Sequence, residues 1–265
     1  MRMKMLCAVV MVLTPLAPID GISQGLSTSI TAPYRVVPNI TYLTANGFDA
    51  KLDVYARTDP GGPFPTLIWI HGGGWVGGNK ESATFSLLPY LEMGWNVVNV
   101  EYRLGRVSLA PAAVEDCLCA LRWVIHNAKE YGFDTNKIVT SGGSAGGHLA
   151  LTTALAQASA GLDRQCPGTE ELKVAAVVNW YGITDVADLL EGPHMKDYAV
   201  QWMGSMPNRV EIAKRVSPLT YVRAGAPPVI TIHACHSIAR DTSKGGRRGA
   251  VGDHTWREAR RIQPR

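Results

Sequence analysis

One serine set between glycines is the part of this chain best suited to chemistry. Residues 142–147 read Gly-Gly-Ser-Ala-Gly-Gly, with a β-branched run at 137–140 before them and an apolar helical pattern at 149–158 after them. This order is typical of a nucleophile elbow, in which a strand turns sharply into a helix and exposes a serine oxygen at the tip. Glycines are needed there because the turn strains the backbone and leaves no room for side chains. The pattern alone would indicate only a Gly-rich turn, so the flanking strand and helix are what favour Ser144 as a nucleophile.

A second Gly-rich motif, His-Gly-Gly-Gly-Trp at residues 71–75, directly follows a predicted buried strand at 66–70. Three consecutive glycines let the backbone approach a ligand closely, and their N–H groups can point at an oxyanion that develops on it. Such a loop could also bind phosphate, but no lysine–serine pair of the Walker type follows it. We expect His71 to orient the loop rather than to act as a base, and Trp75 to serve either packing or substrate binding.

The elements that must position these motifs alternate between apolar strands and helical patterns. The chain has 265 residues, of which 46% are hydrophobic, and this suits one layered α/β domain. Two alternating strands at 40–43 and 51–55 flank Asn46-Gly47 and predict a hairpin. Further strands are predicted at 66–70, 96–100, 137–140, 174–180 and 229–233, and helices at 82–93, 111–131 and 149–158.

The segment 186–216 is predicted to form loops and helices rich in large apolar residues. Its candidates for an apolar substrate pocket are Met195, Trp202, Met203 and Met206. The same residues could equally be plain core.

Residues 40–233 together resemble the α/β-hydrolase superfamily, specifically its esterase/lipase group with HGGGW and GGSAGG motifs. That group includes hormone-sensitive-lipase-like carboxylesterases and proteins similar to feruloyl or acetyl esterases. The resemblance implies an α/β-hydrolase fold, a mostly parallel central sheet flanked by helices, and a serine carboxylic-ester hydrolase without a cofactor. It implies Ser144 as the nucleophile and the backbone N–H groups of Gly73, Gly74 and Ala145 as the oxyanion hole. The implied substrate is a small-molecule ester or an ester on a polysaccharide.

The chain departs from the pattern of this group after His233. The group usually carries Gly-Asp-x-Asp there, followed by a helix and a Gly-rich loop with the catalytic histidine. Ala234-Cys235-His236 stands in that place, and the rest of the chain has no leucine, no phenylalanine and no periodicity of a helix or a strand. We therefore expect the C-terminal strand and helix of the fold to be missing, and residues 234–265 to form an aberrant, disordered basic tail.

A shift of the reading frame would explain this departure. With free choice of synonymous codons and a shift of one nucleotide, residues 255–263 can encode PGGKHGGFN, which has the form of a loop with a catalytic histidine. The shifted stretch upstream can read LHETLVKAGV, an amphipathic helix. A deletion that removed the acid loop would account for both, and sequencing of the gene should then find an intact shifted frame beyond the stop codon.

Residues that could replace the missing acid and base are few. Asp185 follows a predicted strand, although a Thr-Asp pair in that position more often caps a helix. His233, His236 and His254 are candidate bases by default, and His148 cannot readily turn back to the serine oxygen. The alternative interpretation is a catalytically impaired or inactive α/β-hydrolase-like product, because a serine without an oriented base is a poor nucleophile.

The N-terminal residues 1–24 have the form of a signal peptide. Arg2 and Lys4 precede the short apolar run 5–16, which predicts export to the periplasm or the medium. A buried helix or a membrane anchor is the alternative, but the run is short for a span, so we expect no stable membrane insertion. Residues 25–39, polar and proline-bearing, are predicted to form a linker.

Charge and cysteine content argue against two further classes of protein, nucleic-acid-binding proteins and proteins with a disulfide framework. The segment 235–265 holds eight Lys and Arg against three Asp and Glu, so the net charge of +4 belongs to the tail and predicts no nucleic-acid partner. Five cysteines, one of them inside the signal, predict no disulfide framework. Cys117 and Cys119 point apart on a helix and are expected to be small core residues rather than a redox or metal pair.

Overall fold

A computed structural model describes residues 34–233, which form a single seven-stranded sheet with helices on both faces. The predicted signal peptide, residues 25–33 of the predicted linker and the tail 234–265 lie outside this range. The candidate bases His236 and His254 therefore lie outside it as well.

The sheet follows the order β1-β2-β4-β3-β5-β6-β7. Strands β1 and β2 pair antiparallel, as do β2 and β4, whereas the other neighbours pair parallel. The strands are β1 Tyr34–Ala45, β2 Phe48–Arg57, β3 Phe64–Ile70, β4 Asn96–Val100, β5 Phe133–Gly143, β6 Ala176–Trp180 and β7 Val229–Ile232. The α-helices are α1 Thr84–Glu92, α2 Ala112–His126, α3 Ala128–Tyr131, α4 Ala145–Leu155, α5 Asp197–Met203 and α6 Arg209–Val216. Short 3₁₀ turns cover Lys80–Ala83, Ala158–Ala160, Ala187–Leu189, Gly192–His194 and Pro218–Tyr221. The predicted mostly parallel α/β architecture is confirmed.

The first hairpin forms at the predicted Asn46-Gly47 turn, but its first strand begins earlier than the sequence indicates. Both turn residues have positive φ, 53° and 73°, as a two-residue hairpin turn requires. Strand β1 begins at Tyr34, so residues 34–39 are strand and were wrongly assigned to a linker. The prediction failed because Pro38 was read as a sign of a linker. A proline is tolerated here because β1 is an edge strand and its register shifts between Val37 and Ile40.

Apolar side chains fill both faces of the sheet, because the central strands β3 and β4 are buried on both sides. The larger cluster lies under α2 and α4, and it includes Ile68, Val98, Leu121 and Leu149. The smaller cluster lies under α1 and consists of Leu67, Trp69, Ala83, Leu87, Leu91, Val97 and Val139. This packing on both faces therefore holds the ends of the strands in fixed positions at one edge of the sheet.

A buried ion pair joins the segment after β4 to helix α2. Arg103 Nη2 lies 2.7 Å from Asp116 Oδ1, and the backbone N–H of Arg103 donates to Asp116 Oδ2 at 2.7 Å. Burial raises the pKa of Asp116, while the Arg103 guanidinium opposes that rise. The Asp116 carboxylate therefore anchors the segment after β4 to helix α2.

A disulfide joins Cys119 on α2 to Cys166 in the loop after α4, 47 residues apart. The absence of a disulfide framework was therefore a wrong prediction, because the parity of the cysteines says nothing about which helix faces which loop. Cys117 is free and buried, and burial raises the pKa of its thiol. It is a small core residue, as predicted. No helix within residues 34–233 is long and apolar enough to cross a membrane.

Candidate active site

Ser144 lies at the junction between β5, which ends at Gly143, and α4, which begins at Ala145. Its backbone has φ 55° and ψ −119°, a conformation that an L-residue rarely adopts and that costs about 1–3 kcal/mol. The Ser144 N–H donates to Trp180 O at 2.9 Å, and the His148 N–H donates to Ser144 O at 3.0 Å. The strained residue is thus fixed from both sides, by β6 and by the first turn of α4.

The glycines around Ser144 are required by close packing. A Cβ atom on Gly146 would stand 2.1 Å from Ile70 O, and one on Gly142 would stand 2.3 Å from the same oxygen. A Cβ on Gly147 would stand 2.5 Å from Asn179 Oδ1. The backbone of β3 and the Asn179 side chain of β6 leave no room for these methyl groups, so the elbow packs against them only without side chains.

The Gly-rich loop after β3 lies directly beside this elbow. A Cβ on Gly72 would stand 2.8 Å from Gly143 O and 3.8 Å from Ser144 Cβ. The loop turns through positive φ at Gly73 (119°), Gly74 (60°) and Trp75 (63°). Within residues 34–233, the N–H groups of Gly73 and Gly74 take part in no hydrogen bond. Two unpaired donors and the unpaired first N–H groups of α4 therefore lie close to the serine.

His148 and Trp75 are buried behind the elbow and do not face a substrate. The Trp75 indole stacks on Trp202 with ring centroids 4.3 Å apart, and its Nε1–H donates to His148 Nδ1 at 3.0 Å. His148 Nε2 in turn donates to Val216 O at 2.8 Å. Burial lowers the pKa of His148 to about 4, with the Val216 hydrogen bond opposing the fall. His148 is therefore a neutral structural histidine, and Trp75 serves packing.

The remaining histidines of residues 34–233 are engaged elsewhere or lie at the end of that range. His71 packs under the Gly-rich loop, while His126 and His194 pair with surface carboxylates of Glu170 and Asp188. His233 is exposed just after β7, and β7 ends on the same edge of the sheet as β5. No hydrogen bond among the described residues joins the Ser144 hydroxyl to a histidine.

Asp185 forms a local hydrogen bond with the backbone beside a 3₁₀ turn. Its Oδ1 accepts the N–H of Ala187, two residues on, at 2.9 Å, whereas the N-cap of the 3₁₀ turn Ala187–Leu189 is Val186. Its carboxylate therefore satisfies the local backbone. The structure gives no hydrogen bond from Asp185 to any histidine of residues 34–233.

A cavity of about 450 Å³ opens between α1 and the ends of β5 and β6. Its lining is largely aromatic and apolar and comprises Trp69, Ser86, Pro89, Tyr90, Met93, Gly143, Trp180 and Tyr181. Tyr181 has a positive φ of 44°, and a Cβ on Gly143 would stand 3.0 Å from its hydroxyl oxygen. No local sequence pattern predicts this lining, because its residues come from three separate strands and one helix.

The alternative pocket predicted in residues 186–216 is largely core. Trp202 and Met203 are fully buried, Met206 packs against the core, and Met195 is 49% exposed. None of the four lines the cavity beside Gly143. Within residues 34–233, no group of three His, Cys, Asp or Glu side chains lies close enough together to hold a metal ion.

The comparison with known protein families agrees with this arrangement. The BD-FAE family matches residues 52–238, which is most of the chain and includes both Gly-rich motifs. The chain belongs to the BD-FAE family. The predicted resemblance to esterases of the α/β-hydrolase superfamily is thereby confirmed.

Relatives of the chain carry the names of ester hydrolases. The "Probable carboxylic ester hydrolase LipM" of Mycobacterium tuberculosis is 35% identical over 191 residues, which cover 69% of this chain and 44% of that protein. "Esterase LipQ" of the same organism is 32% identical over 198 residues, covering 71% of this chain and 46% of that protein. The chain thus spans less than half the length of these relatives.

A solved structure with the same fold is described as a truncated form of a carbohydrate esterase from gut microbiota. It is 25% identical, has a TM-score of 0.64, and the match covers 77% of this chain and 78% of that one. Its similarity supports the fold assignment independently of the Gly-rich motifs.

Proposed function

We propose that this protein is a serine carboxylic-ester hydrolase in which Ser144 is the nucleophile. The observation that carries the proposal is the strained Ser144 beside the unpaired N–H groups of Gly73 and Gly74. An exposed serine oxygen and preorganised backbone donors are the two parts that acyl transfer needs at one place. The esterase names of the relatives support the same reaction class.

In the proposed reaction, Ser144 Oγ attacks the carbonyl carbon of the ester and its proton passes to a base. The carbonyl oxygen becomes an oxyanion, which the N–H groups of Gly73, Gly74 and Ala145 stabilise. Collapse of this intermediate expels the alcohol and leaves Ser144 acylated, and water then releases the acid. The base must come from His233 or from a histidine outside residues 34–233, since the other described histidines are engaged elsewhere.

The substrate proposed is a small-molecule ester with a short acyl group, or an acetyl or feruloyl ester on a polysaccharide. The apolar cavity beside Gly143 offers room for one side of such an ester. The structural neighbour described as a carbohydrate esterase supports the polysaccharide class.

Hydrolysis of p-nitrophenyl acetate by the full chain, compared with Ser144→Ala, tests the proposed function. We expect hydrolysis above the buffer rate in the wild type and a rate at the buffer level in the variant. Equal rates above the buffer level for the two proteins would refute Ser144 as nucleophile. A wild-type rate at the buffer level would instead favour the impaired, inactive product that the departure after His233 predicts.

Export is proposed as well, on two supporting observations. Residues 1–24 have the composition of a signal peptide, and the Cys119–Cys166 disulfide suits an oxidising compartment. N-terminal sequencing of the protein from a cell fractionation should find a mature chain that begins near residue 24 outside the cytoplasm. A cytoplasmic chain that keeps Met1 would contradict export.

A further inference from the structure

His71 closes the base of the Gly-rich loop and is almost completely buried. Its Nδ1 lies 2.7 Å from the carbonyl oxygen of Gly72. A carbonyl oxygen can only accept a hydrogen bond, so Nδ1 carries the hydrogen and donates it. The ring also stacks on Tyr102, with centroids 4.3 Å apart and planes 13° apart, which fixes its orientation.

The Gly72 carbonyl is not an isolated acceptor, because it shares a peptide unit with a proposed oxyanion donor. The C=O of Gly72 and the N–H of Gly73 belong to one planar trans peptide and point in opposite directions. A hydrogen bond that fixes the carbonyl on one side therefore fixes the direction of the N–H on the other. Gly73 itself has φ 119°, so its backbone would otherwise have unusual freedom.

Glu101 holds the other side of the His71 ring. Its Oε1 lies 3.3 Å from His71 Nε2, without the geometry of a hydrogen bond. Its Oε2 accepts the backbone N–H of Lys80 at 2.8 Å, which anchors the carboxylate to the end of the same loop. Lys80 Nζ is held in turn by Asp53 Oδ2 on β2 at 2.9 Å. The His71 ring thus lies against a carboxylate that contacts with Lys80 hold in place, and Lys80 is itself held by strand β2.

Gly78 packs closely against the hydrogen bond between His71 and Gly72. A Cβ on Gly78 would stand 2.4 Å from Gly72 O and 2.8 Å from His71 Nδ1. Only a residue without a side chain can approach this bond so closely. The His71 side chain is buried, and a satisfied hydrogen bond is stronger in a buried setting than in water.

We propose that Glu101 and His71 are positioning residues, which aim the Gly73 N–H at the oxyanion through the rigid Gly72–Gly73 peptide. The proposal rests on the proposed function, since it assigns a task to that site. A merely structural role would lower the stability and the rate together. Loss of the positioning should instead lower the rate of the chemical step in a protein that stays folded.

Paired substitutions with p-nitrophenyl acetate as substrate test the positioning. His71→Leu removes the Nδ1 donor, whereas His71→Asn keeps an N–H donor near the same place. Glu101→Leu removes the carboxylate, whereas Glu101→Gln can donate its amide to Nε2. Glu170→Gln, which removes a surface partner of His126, is the matched control.

We expect both leucine variants to lose about 10- to 100-fold in kcat with KM unchanged within about twofold, because a misaimed donor weakens only the transition state. The Asn and Gln variants should recover most of this loss, and the control should keep the wild-type rate. Rates that fall equally in the leucine and the conservative variants, or in step with Tm, would overturn the proposal.

A second readout does not depend on turnover and separates the proposal from the proposed function. In the full chain labelled with ¹⁵N-histidine and ¹⁵N-glycine, NMR should show a slowly exchanging His71 Nδ1–H in the wild type. In Glu101→Leu that proton should exchange faster and the Gly73 amide signal should shift, while the distant Gly132 amide stays in place. An unchanged Gly73 signal in both leucine variants would overturn the positioning, whether or not the protein hydrolyses esters.

Discussion

At Ser144 and its neighbouring glycines, the backbone conformation and the packing require particular residue types. The serine is held at φ 55°, and the glycines at 142 and 146 approach the Ile70 carbonyl more closely than any side chain would permit. The strain at one residue persists because β3 and β6 fix its surroundings. The Gly-rich sequence is therefore a packing requirement that also leaves the serine oxygen accessible.

Two glycine-to-alanine substitutions separate steric from conformational effects. In Gly146→Ala the methyl group would meet the Ile70 carbonyl at 2.1 Å, so we expect a loss of at least about 3 kcal/mol in the free energy of unfolding. Gly132→Ala has a positive φ of 69° but open space around it, and should cost about 1 kcal/mol. Urea unfolding measures both, and equal losses would contradict the packing explanation.

His148 should make the protein less stable in acid. Its pKa is about 4 in the folded state, against a reference of 6.5. Between pH 4 and pH 6.5 the unfolded chain therefore binds a proton at this residue and the folded chain does not. Stability is unaffected above pH 6.5 and falls as the pH drops toward 4, by about 3 kcal/mol in total. In His148→Gln this part of the pH dependence should vanish, whereas His126→Gln, at an exposed site, should keep it. An unchanged slope in His148→Gln would contradict this assignment.

Sequence reasoning found the residues whose roles are local and missed those whose roles depend on distant partners. The turn at Ser144, the need for glycines beside it and the exclusion of His148 as a base follow from neighbours in the chain. The contacts of Glu101 with His71 and Lys80 join residues 21 to 30 positions apart, and no local pattern predicts them. The same limit applies to Tyr181, whose partner at the elbow lies on another strand.

At the scale of elements, the loop between α4 and β6 is fastened to helix α2. Besides the disulfide, Arg122 Nη2 contacts Asp163 Oδ2 at 2.5 Å, and Arg122 Nε donates to Glu170 O at 3.3 Å. Covalent and ionic contacts therefore hold a long polar segment against the helix that covers one face of the sheet.

Reduction of the disulfide should lower the stability measurably. Opening a closed loop of 47 residues is expected to cost about 4 kcal/mol, because the unfolded chain regains its freedom. Urea unfolding with and without reductant measures this loss in the wild type. Cys117→Ala should respond to reductant as the wild type does, whereas Cys119→Ala should not respond. A reductant effect that persists in Cys119→Ala would contradict the pairing.

Element boundaries were predictable where turns and apolar runs coincide, and not where a proline lies in an edge strand. The hairpin turn and the ends of β3, β4 and β5 lie close to the positions expected from the sequence. The Tyr34 hydroxyl oxygen lies 2.8 Å from Leu91 O and 2.9 Å from Trp95 O, which fastens strand β1 to the end of α1 and to the residue before β4. No pattern in the sequence predicts that contact.

At the scale of the molecule, one side of the sheet is covered unevenly. Val139 on β5 is buried, Val178 and Trp180 on β6 are partly buried, and Ile230 on β7 is 51% exposed. The pairing of Val178 with Ile230 puts both side chains on the same face. Within residues 34–233, β7 also has no strand on its outer side. An exposed apolar face beside an open edge favours association between copies.

Replacement of an exposed apolar residue on this face should improve solubility. In Ile230→Lys we expect less association at a given concentration, because the charge must stay hydrated and opposes edge-to-edge pairing. Leu219→Lys is the matched control, since Leu219 is 57% exposed on a 3₁₀ turn. Light scattering over a concentration series measures the effect. A wild type that stays monomeric and melts sharply would contradict the expected association.

The fold class was predictable for the whole molecule because strand and helix patterns alternate along the chain. The order of the strands was not, since it depends on which edges meet in space. The Ser-centred half of the site lies in residues 34–233. The resemblance places the acid and base after His233, where the sequence departs from the pattern of the group.

The most direct test of the central claim is covalent capture of Ser144. The full chain is incubated with an organophosphate such as paraoxon, digested, and analysed by mass spectrometry, with Ser144→Ala as the control. The account predicts a single phosphorylated peptide that contains Ser144, and no adduct in the variant. Ester hydrolysis without an adduct on Ser144, or an equal adduct in Ser144→Ala, would contradict it.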